Sequence, residues 1–173
     1  MIGKTKILLV DDEKRFRETW HRLLTGRGYD VITAENGQIA LDILSKSRVD
    51  IIILDLKMPV MSGEEVLEVI AKEYPDIPVV IITGNGTIDT AVECMKKGAY
   101  DFLTKPFQVD QLLFIIRRAE DKRTLEQKDR ISRDMIIRIL HDLNAEKKRL
   151  KTIINCMANG RASNKSFPDR QDY

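Results

Sequence analysis

Residues 51–59 read IIILDLKMP, a continuously apolar run that ends in a carboxylate and is followed by a turn at Pro59. A short isoleucine-rich run of this kind is typical of a strand that is covered on both faces, as in the centre of a parallel sheet. Residues 79–83 read VVIIT and have the same character. We therefore expect both runs to be central strands.

On either side of residues 51–59, short β-branched runs alternate with amphipathic helical patterns along residues 6–107. This alternation is typical of parallel βαβ units, whose crossovers are right-handed. It predicts an α/β fold with a five-stranded, doubly wound parallel sheet in the order 2-1-3-4-5, five helices, and a C-terminal extended helix. The predicted strands are Lys6–Val10, Asp30–Thr33, Ile51–Leu54, Val79–Thr83 and Asp101–Thr104.

Polar side chains follow four of the five predicted strands at their carboxyl ends, where ligands bind in such sheets. These residues are Asp11, Asp12, Asp55, Thr83 and Lys105. Singly, each has an ordinary explanation, such as a helix N-cap for an Asp or a turn for Lys-Pro. Their coincidence at one edge of the sheet instead predicts a functional site.

Three crowded carboxylates repel one another, so the site must either raise a pKa or hold a cation. Mg²⁺ suits the set best, because it takes one or two carboxylates together with water and phosphate oxygens. A lysine and a hydroxyl would then complete a cradle for a phosphoryl group, with one carboxylate as the nucleophile. The pattern therefore favours phosphoryl transfer.

Several segments together resemble the receiver domain of two-component response regulators over residues 5–120. They are Leu8–Glu13, Leu54–Pro59, Ser62-Gly63, Ile82–Gly84 and Thr104–Phe107. The resemblance implies that Asp55 is the phosphoacceptor and takes its phosphoryl group from the phosphohistidine of a sensor histidine kinase or a phosphotransfer protein.

The same resemblance implies a role for each neighbouring residue. Asp12, Asp55 and the carbonyl of Lys57 would hold Mg²⁺, and Asp11 would act through a metal-bound water. Lys105 would pair with the phosphoryl group, and Thr83 would move to hydrogen-bond it while Phe102 turns inward. Lys57 and Asn85 occupy the positions that tune dephosphorylation in the family.

Beyond the predicted receiver, residues 1–120, we expect a helical linker or coiled coil over residues 121–158 and a disordered tail over residues 159–173. The stretch 117–130 is nearly all polar and is either a helical linker or a break. Steps of four and three then predict a coiled-coil seam and a homodimer through this helix; the alternative is a helix folded back on the receiver. The seam residues are Ile136, Leu140, Leu143, Lys147, Leu150, Ile154 and Met157.

Composition narrows the function further. Acidic residues outnumber basic ones up to residue 107 and the reverse holds from residue 108, but the basic residues alternate with acidic ones, so we expect no nucleic-acid partner. No apolar run approaches the roughly 20 residues of a membrane-spanning helix. Together with the strand-like start of the chain, this predicts a cytoplasmic protein with no membrane partner and with Cys94 and Cys156 as reduced thiols.

Two interpretations of the whole protein remain open. In the first, the chain is a switch whose output is a helix-mediated interaction, with no stand-alone enzyme activity beyond self-phosphorylation from phosphodonors and autodephosphorylation. In the second, it is the receiver module of a larger hybrid sensor histidine kinase. The second interpretation rests on residues 150–160, which resemble the helix that leads into a PAS domain. His141-Asp142-Leu143-Asn144 also resembles the start of a histidine kinase phosphoacceptor box, but the proline expected soon after it is missing, so an ordinary solvated histidine is the favoured interpretation.

Overall fold

The computed structural model describes residues 4–162, with side chains described to residue 157. Five strands and five helices alternate along the chain, and all strand pairs are parallel in the order β2-β1-β3-β4-β5. The predicted fold class is thus confirmed. The elements are β1 (Lys6–Val10), α1 (Lys14–Thr25), β2 (Asp30–Ala34), α2 (Gly37–Lys46), β3 (Ile51–Asp55), α3 (Gly63–Glu73), β4 (Val79–Thr83), α4 (Ile88–Lys96), β5 (Asp101–Thr104) and α5 (Val109–Ala162).

The two central strands, β3 and β4, are buried along their whole length, as their apolar sequences predict. Successive side chains of a strand point to opposite faces of the sheet. Ile52 and Leu54 therefore join one buried cluster, which includes Val66 and Leu67 of α3. Ile51 and Ile53 join the other, which includes residues of α1 and α5. The sheet is consequently covered on both faces, so polar side chains can gather only at the ends of its strands.

Helix α3 begins with a capping box formed by Ser62 and Glu65. The Ser62 hydroxyl accepts a hydrogen bond from the Glu65 backbone N–H at 3.3 Å, and the Ser62 N–H donates to Glu65 Oε2 at 2.8 Å. The Ser62 hydroxyl also donates to Glu65 Oε2 at 2.8 Å, and the two hydrogen bonds that this carboxylate accepts from Ser62 lower the pKa of Glu65. The cap ends the loop after β3 at a defined residue, so the start of α3 lies against the carboxyl end of that strand.

The chain divides into two compact units, the first ending at Leu125 and the second beginning at Glu126. In the first unit, α5 buries Leu112, Ile116 and Ala119 completely. Farther along this unit, Tyr29 donates a hydrogen bond to Glu120 at 3.5 Å, and Arg123 pairs with Asp50. Asp50 also accepts a 2.8 Å hydrogen bond from the backbone N–H of Lys6. The ordered contacts of the first unit therefore extend past residue 120, where the sequence analysis ends the receiver.

Helix α5 continues without interruption to Ala162, so the stretch 117–130 is helical and does not contain a break. The large apolar side chains described from residue 131 to residue 157 are all about half exposed or more, from Ile139 at 49% to Met157 at 69%. Within the described residues, no helix is long and apolar enough to cross a membrane, and both cysteines are free thiols. The helix runs into the predicted tail, and residues 163–173 of that tail lie outside the described residues.

Candidate phosphoryl-transfer site

Three carboxylates meet at the carboxyl ends of β1 and β3. Asp11 and Asp12 follow β1 directly, and Asp55 is the last residue of β3. Each contributes one oxygen to a group whose members all lie within 4.8 Å of one another. Asp11 and Asp55 are buried and Asp12 is exposed, so the cluster is accessible to solvent at Asp12.

Lys105 provides the positive charge that faces this cluster. Its ammonium Nζ lies 2.5 Å from Asp11 Oδ2 and 3.6 Å from Asp55 Oδ2. The ammonium also lies 4.1 Å from the centre of the Phe16 ring. That ring belongs to an aromatic cluster with Trp20 and Phe107, in which Trp20 and Phe107 are 5.0 Å apart. The Lys105 side chain is only 19% exposed, and the Phe16 ring beside its ammonium helps to hold that charge next to the carboxylates.

The environment of Asp55 raises the pKa of its carboxyl group above the usual value. Burial is the largest cause, and the neighbouring Asp11 adds to it. Lys105 and the backbone N–H groups of Leu56 and Lys57 act in the opposite direction. Asp55 Oδ1 is buried and has no hydrogen-bond partner, so the site leaves an oxygen without a donor or cation. Such an orphaned oxygen costs free energy unless a ligand meets it.

This donor set fits a hard divalent cation. Its ligands are carboxylate oxygens, which Mg²⁺ and Ca²⁺ prefer, and the ammonium of Lys105 pairs with only two of the three carboxylates. The buried, unpartnered oxygen of Asp55 is a position that a cation would satisfy. The carboxylates expected at a metal site therefore lie together, whereas the role of the Lys57 carbonyl stays a prediction.

Thr83 and Phe102, the predicted switch residues, lie on the neighbouring strands β4 and β5. Thr83 is buried at the end of β4, and its hydroxyl accepts a hydrogen bond from the Asn85 backbone N–H at 3.4 Å. Phe102 is half-buried and packs against the cluster that includes Leu54. Its ring lies so close to Gly86 that a Cβ there would come within 2.8 Å of two ring carbons. The loop after β4 is thus in direct contact with the Phe102 ring.

Lys57 and Asn85 meet across the mouth of the site. In the orientation of the Asn85 amide that satisfies its hydrogen bonds, the amide oxygen accepts from Lys57 Nζ at 2.7 Å and the amide nitrogen donates to the Gly84 carbonyl at 3.0 Å. The contact joins the loop after β3 to the loop after β4. The two side chains at the positions that the resemblance links to dephosphorylation are therefore physically paired.

Two further residues, Arg17 and Gly63, shape the site and were not predicted from the sequence. Arg17 of α1 donates from one guanidinium nitrogen to the carbonyls of Asp11 and Asp12, at 2.7 Å and 2.9 Å. A Cβ at Gly63 would lie 2.1 Å from the Asp55 carbonyl oxygen, so only glycine allows α3 to start there. The Gly63 position lies within a segment that resembles the family, but the neighbours of Arg17 in sequence indicate only an amphipathic helix.

Comparisons with known proteins find similar chains among response regulators. An NtrX-like response regulator of Rickettsia bellii is 44% identical over 115 residues, and the nitrogen assimilation regulatory protein NtrX of Azorhizobium caulinodans is 42% identical over 115 residues; each match covers 65% of this chain. This chain spans about a quarter of the length of these relatives, 24% and 25% respectively. The crystal structure of the receiver domain of a LuxO-type repressor protein from Vibrio parahaemolyticus has a TM-score of 0.69 and 35% identity, covering 72% of this chain and 95% of that one.

A family model described as the response regulator receiver domain matches residues 7–117. These residues contain the acidic cluster, Lys105 and all of the sheet except the first residue of β1. Receiver domains of response regulators act in two-component signalling, in which they receive phosphoryl groups from histidine kinases. This chain belongs to the response regulator receiver domain family.

Proposed function

We propose that Asp55 is the phosphoacceptor of this receiver and that a Mg²⁺ ion is held by Asp12, Asp55 and the carbonyl of Lys57, with Asp11 acting through a bound water. The observation that carries the proposal is the buried Asp55 carboxylate, which has one oxygen without a partner and the other 3.6 Å from Lys105. Asp55 is also the last residue of the central strand β3, so it lies in the middle of the row of strand ends where the polar side chains gather.

The proposed reaction transfers a phosphoryl group from a kinase phosphohistidine to Asp55. A carboxylate oxygen of Asp55 attacks the phosphorus, the P–N bond breaks, and the imidazole leaves as the phosphoryl group becomes bonded to the aspartate. When bound, Mg²⁺ neutralises charge on the phosphoryl oxygens. Lys105, which faces both Asp11 and Asp55, supplies a positive charge on the same group. Burial of Asp55 excludes water from one side of the group.

Phosphorylation would be reported by Thr83 and Phe102. A phosphoryl group on Asp55 attracts the Thr83 hydroxyl, and this movement shifts the loop whose Asn85 N–H now hydrogen-bonds to that hydroxyl. Because the Phe102 ring lies against Gly86 of the same loop, a shift of the loop changes the room available to the ring. The surface formed by α4, β5 and the start of α5 would then repack, as two-state switches do.

The contact between Lys57 and Asn85 supports a role for both residues in the lifetime of the phosphoryl group. Dephosphorylation requires a water molecule to reach the phosphorus in line with the bond that breaks. A lysine held over the mouth of the site by a 2.7 Å hydrogen bond limits the paths by which water arrives. We expect that releasing Lys57 changes the rate of dephosphorylation.

The output and setting of the switch also belong to this proposal. The partner would be a sensor histidine kinase or a phosphotransfer protein, and the protein would act in the cytoplasm. The helix of the second unit would form a homodimer, and the protein would not bind nucleic acid. The exposed apolar side chains of residues 136–157 support the dimer. The alternative is that the chain is the receiver module of a hybrid sensor histidine kinase, and the resemblance of residues 150–160 to the helix before a PAS domain supports it. The length of the natural open reading frame decides between the two.

The central experiment treats the chain with acetyl phosphate and Mg²⁺, or with beryllofluoride, and measures its intact mass. One adduct is expected on the unaltered chain and on Asp42→Asn, an exposed control in α2. Asp55→Asn should abolish the adduct. An adduct that persists in Asp55→Asn at Asp11 or Asp12 contradicts the assignment. Asp12→Ala should weaken Mg²⁺ binding about tenfold or more, and an undiminished affinity excludes Asp12 as a direct ligand.

A further inference from the structure

The second unit carries more apolar surface than a single seam can use. From Ile136 to Met157 the helix exposes pairs of adjacent apolar side chains, Ile139 with Leu140 and Ile153 with Ile154, at 49–63% exposure. An isolated helix cannot bury such a stripe, and its stability in water normally depends on a packed apolar face. The adjacent pairs mean that the stripe is wider than the narrow line of a two-stranded coiled coil.

Two seven-residue repeats fit this stripe, and they share every second position. The first seam is the one predicted from the sequence and steps from Ile136 to Leu140. The second seam steps from Ile136 to Ile139 and then keeps the same alternation of three and four residues. Its members are Ile136, Ile139, Leu143, Glu146, Leu150, Ile153 and Met157. Ile136, Leu143, Leu150 and Met157 belong to both seams.

Each seam contains one charged residue, and that residue lies beside the other seam. The first seam contains one charged residue, Lys147, and the second contains one, Glu146. When one of these two residues is in the seam, the other is at a position that flanks it. In a parallel dimer, flanking residues of the two helices pair when they are five residues apart in sequence. In the first seam Glu146 faces Lys151 of a second copy. In the second seam Lys147 faces Asp142 of a second copy.

We propose that residues 136–157 pair in parallel with a second copy of this chain and alternate between these two seams. The proposal rests on the homodimer put forward above and specifies its interface. A second copy is the favoured occupant because each seam brings opposite charges of the same sequence into register. Each seam also has a single charged interruption, so the two arrangements differ little in free energy, and a rotation of each helix by about one seventh of a turn converts one into the other.

The test uses disulfide cross-linking of the full chain with Cys156 replaced by Ser, so that the remaining natural thiol is the buried Cys94. Leu140→Cys reports the first seam and Ile139→Cys reports the second. Leu143→Cys, which is in both seams, is the positive control, and Ala145→Cys, which is in neither, is the negative control. Each variant is oxidised with copper phenanthroline, and the fraction of covalent dimer is measured.

Both Leu140→Cys and Ile139→Cys should cross-link more than Ala145→Cys. Adding Lys147→Leu should shift the ratio toward Leu140→Cys, whereas adding Glu146→Leu should shift it toward Ile139→Cys, each by several-fold. Each leucine should also tighten the dimer by roughly tenfold or more in sedimentation, since a charged seam residue weakens a coiled coil. A ratio that neither leucine changes, or cross-linking at only one of the two sites, overturns the two-seam interface.

Failure of the dimer itself gives a different result. In that case Leu143→Cys cross-links no more than Ala145→Cys, and the chain sediments as a monomer with either leucine present. The mass adduct at Asp55 is measured on the same samples and does not depend on the helix pairing. The test thus separates failure of the two seams, failure of the homodimer and failure of the phosphoacceptor assignment.

Discussion

Helix α5 contains two stretches with similar apolar spacing and opposite surroundings. Before Leu125, Leu112 and Ile116 are completely buried against the sheet. After Glu126, Leu140 and Ile154 recur at comparable spacing and are more than half exposed. An apolar period therefore predicts a helix that needs a covering surface, while the source of that surface depends on the rest of the fold. In the first stretch the chain supplies it from its own sheet.

The largest difference between the buried and the exposed stretch is expected when one isoleucine in each is truncated to alanine. Ile116→Ala removes a completely buried side chain and should lower the free energy of unfolding of the first unit by about 2–5 kcal/mol. Ile154→Ala is the matched control and should leave that free energy unchanged within about 0.5 kcal/mol. Urea denaturation followed by circular dichroism measures both, and equal losses would mean that the two stretches do not differ in this way.

A second, smaller effect should come from the ion pair of Arg123 with Asp50. Both side chains are mostly buried, and Asp50 is also held by the Lys6 N–H. Arg123→Ala should lower the free energy of unfolding by about 1–3 kcal/mol, because a largely buried carboxylate loses the nearer of its two charged partners and keeps only the exposed Arg48, 3.5 Å away. Arg138→Ala in the second unit is the control. Hydrogen exchange near residues 120–125 should speed up in Arg123→Ala alone, and an unchanged rate would argue that the pair does not hold this part of α5.

The smallest effect concerns an exposed charge that is nevertheless tied to the fold. Ser62 lowers the pKa of Glu65, so the native state binds a proton there less readily than the unfolded state does. The stabilisation is therefore complete above the ordinary carboxyl pKa and is lost as pH falls through the lowered value. Unfolding midpoints of the unaltered chain and Glu65→Gln should differ at neutral pH and converge in acid. Asp134→Asn, which changes an exposed carboxylate in the second unit, is the matched control.

Much of the first unit was predictable because its local patterns agree with its packing. The apolar runs at β3 and β4 indicated buried strands, and their order indicated which strand ends meet. The contact of Arg17 with the carbonyls of Asp11 and Asp12 was not predictable, since it depends on how α1 lies over β1. The contact of Phe102 with Gly86 was hidden for the same reason, because it depends on how the loop after β4 lies over β5. In residues 117–130, charge density left helix or break open, and the structure has a helix there.

The aromatic cluster beside Lys105 also makes the protein its own optical probe. Trp20 is the only tryptophan in the chain, and its ring lies 5.0 Å from that of Phe107, two residues after Lys105. Indole emission responds to nearby charge and to packing, so a movement of the lysine ammonium changes the fluorescence without any attached dye. We therefore expect that the proposed cation binding or phosphorylation at the acidic cluster can be followed continuously by the fluorescence of the unmodified chain.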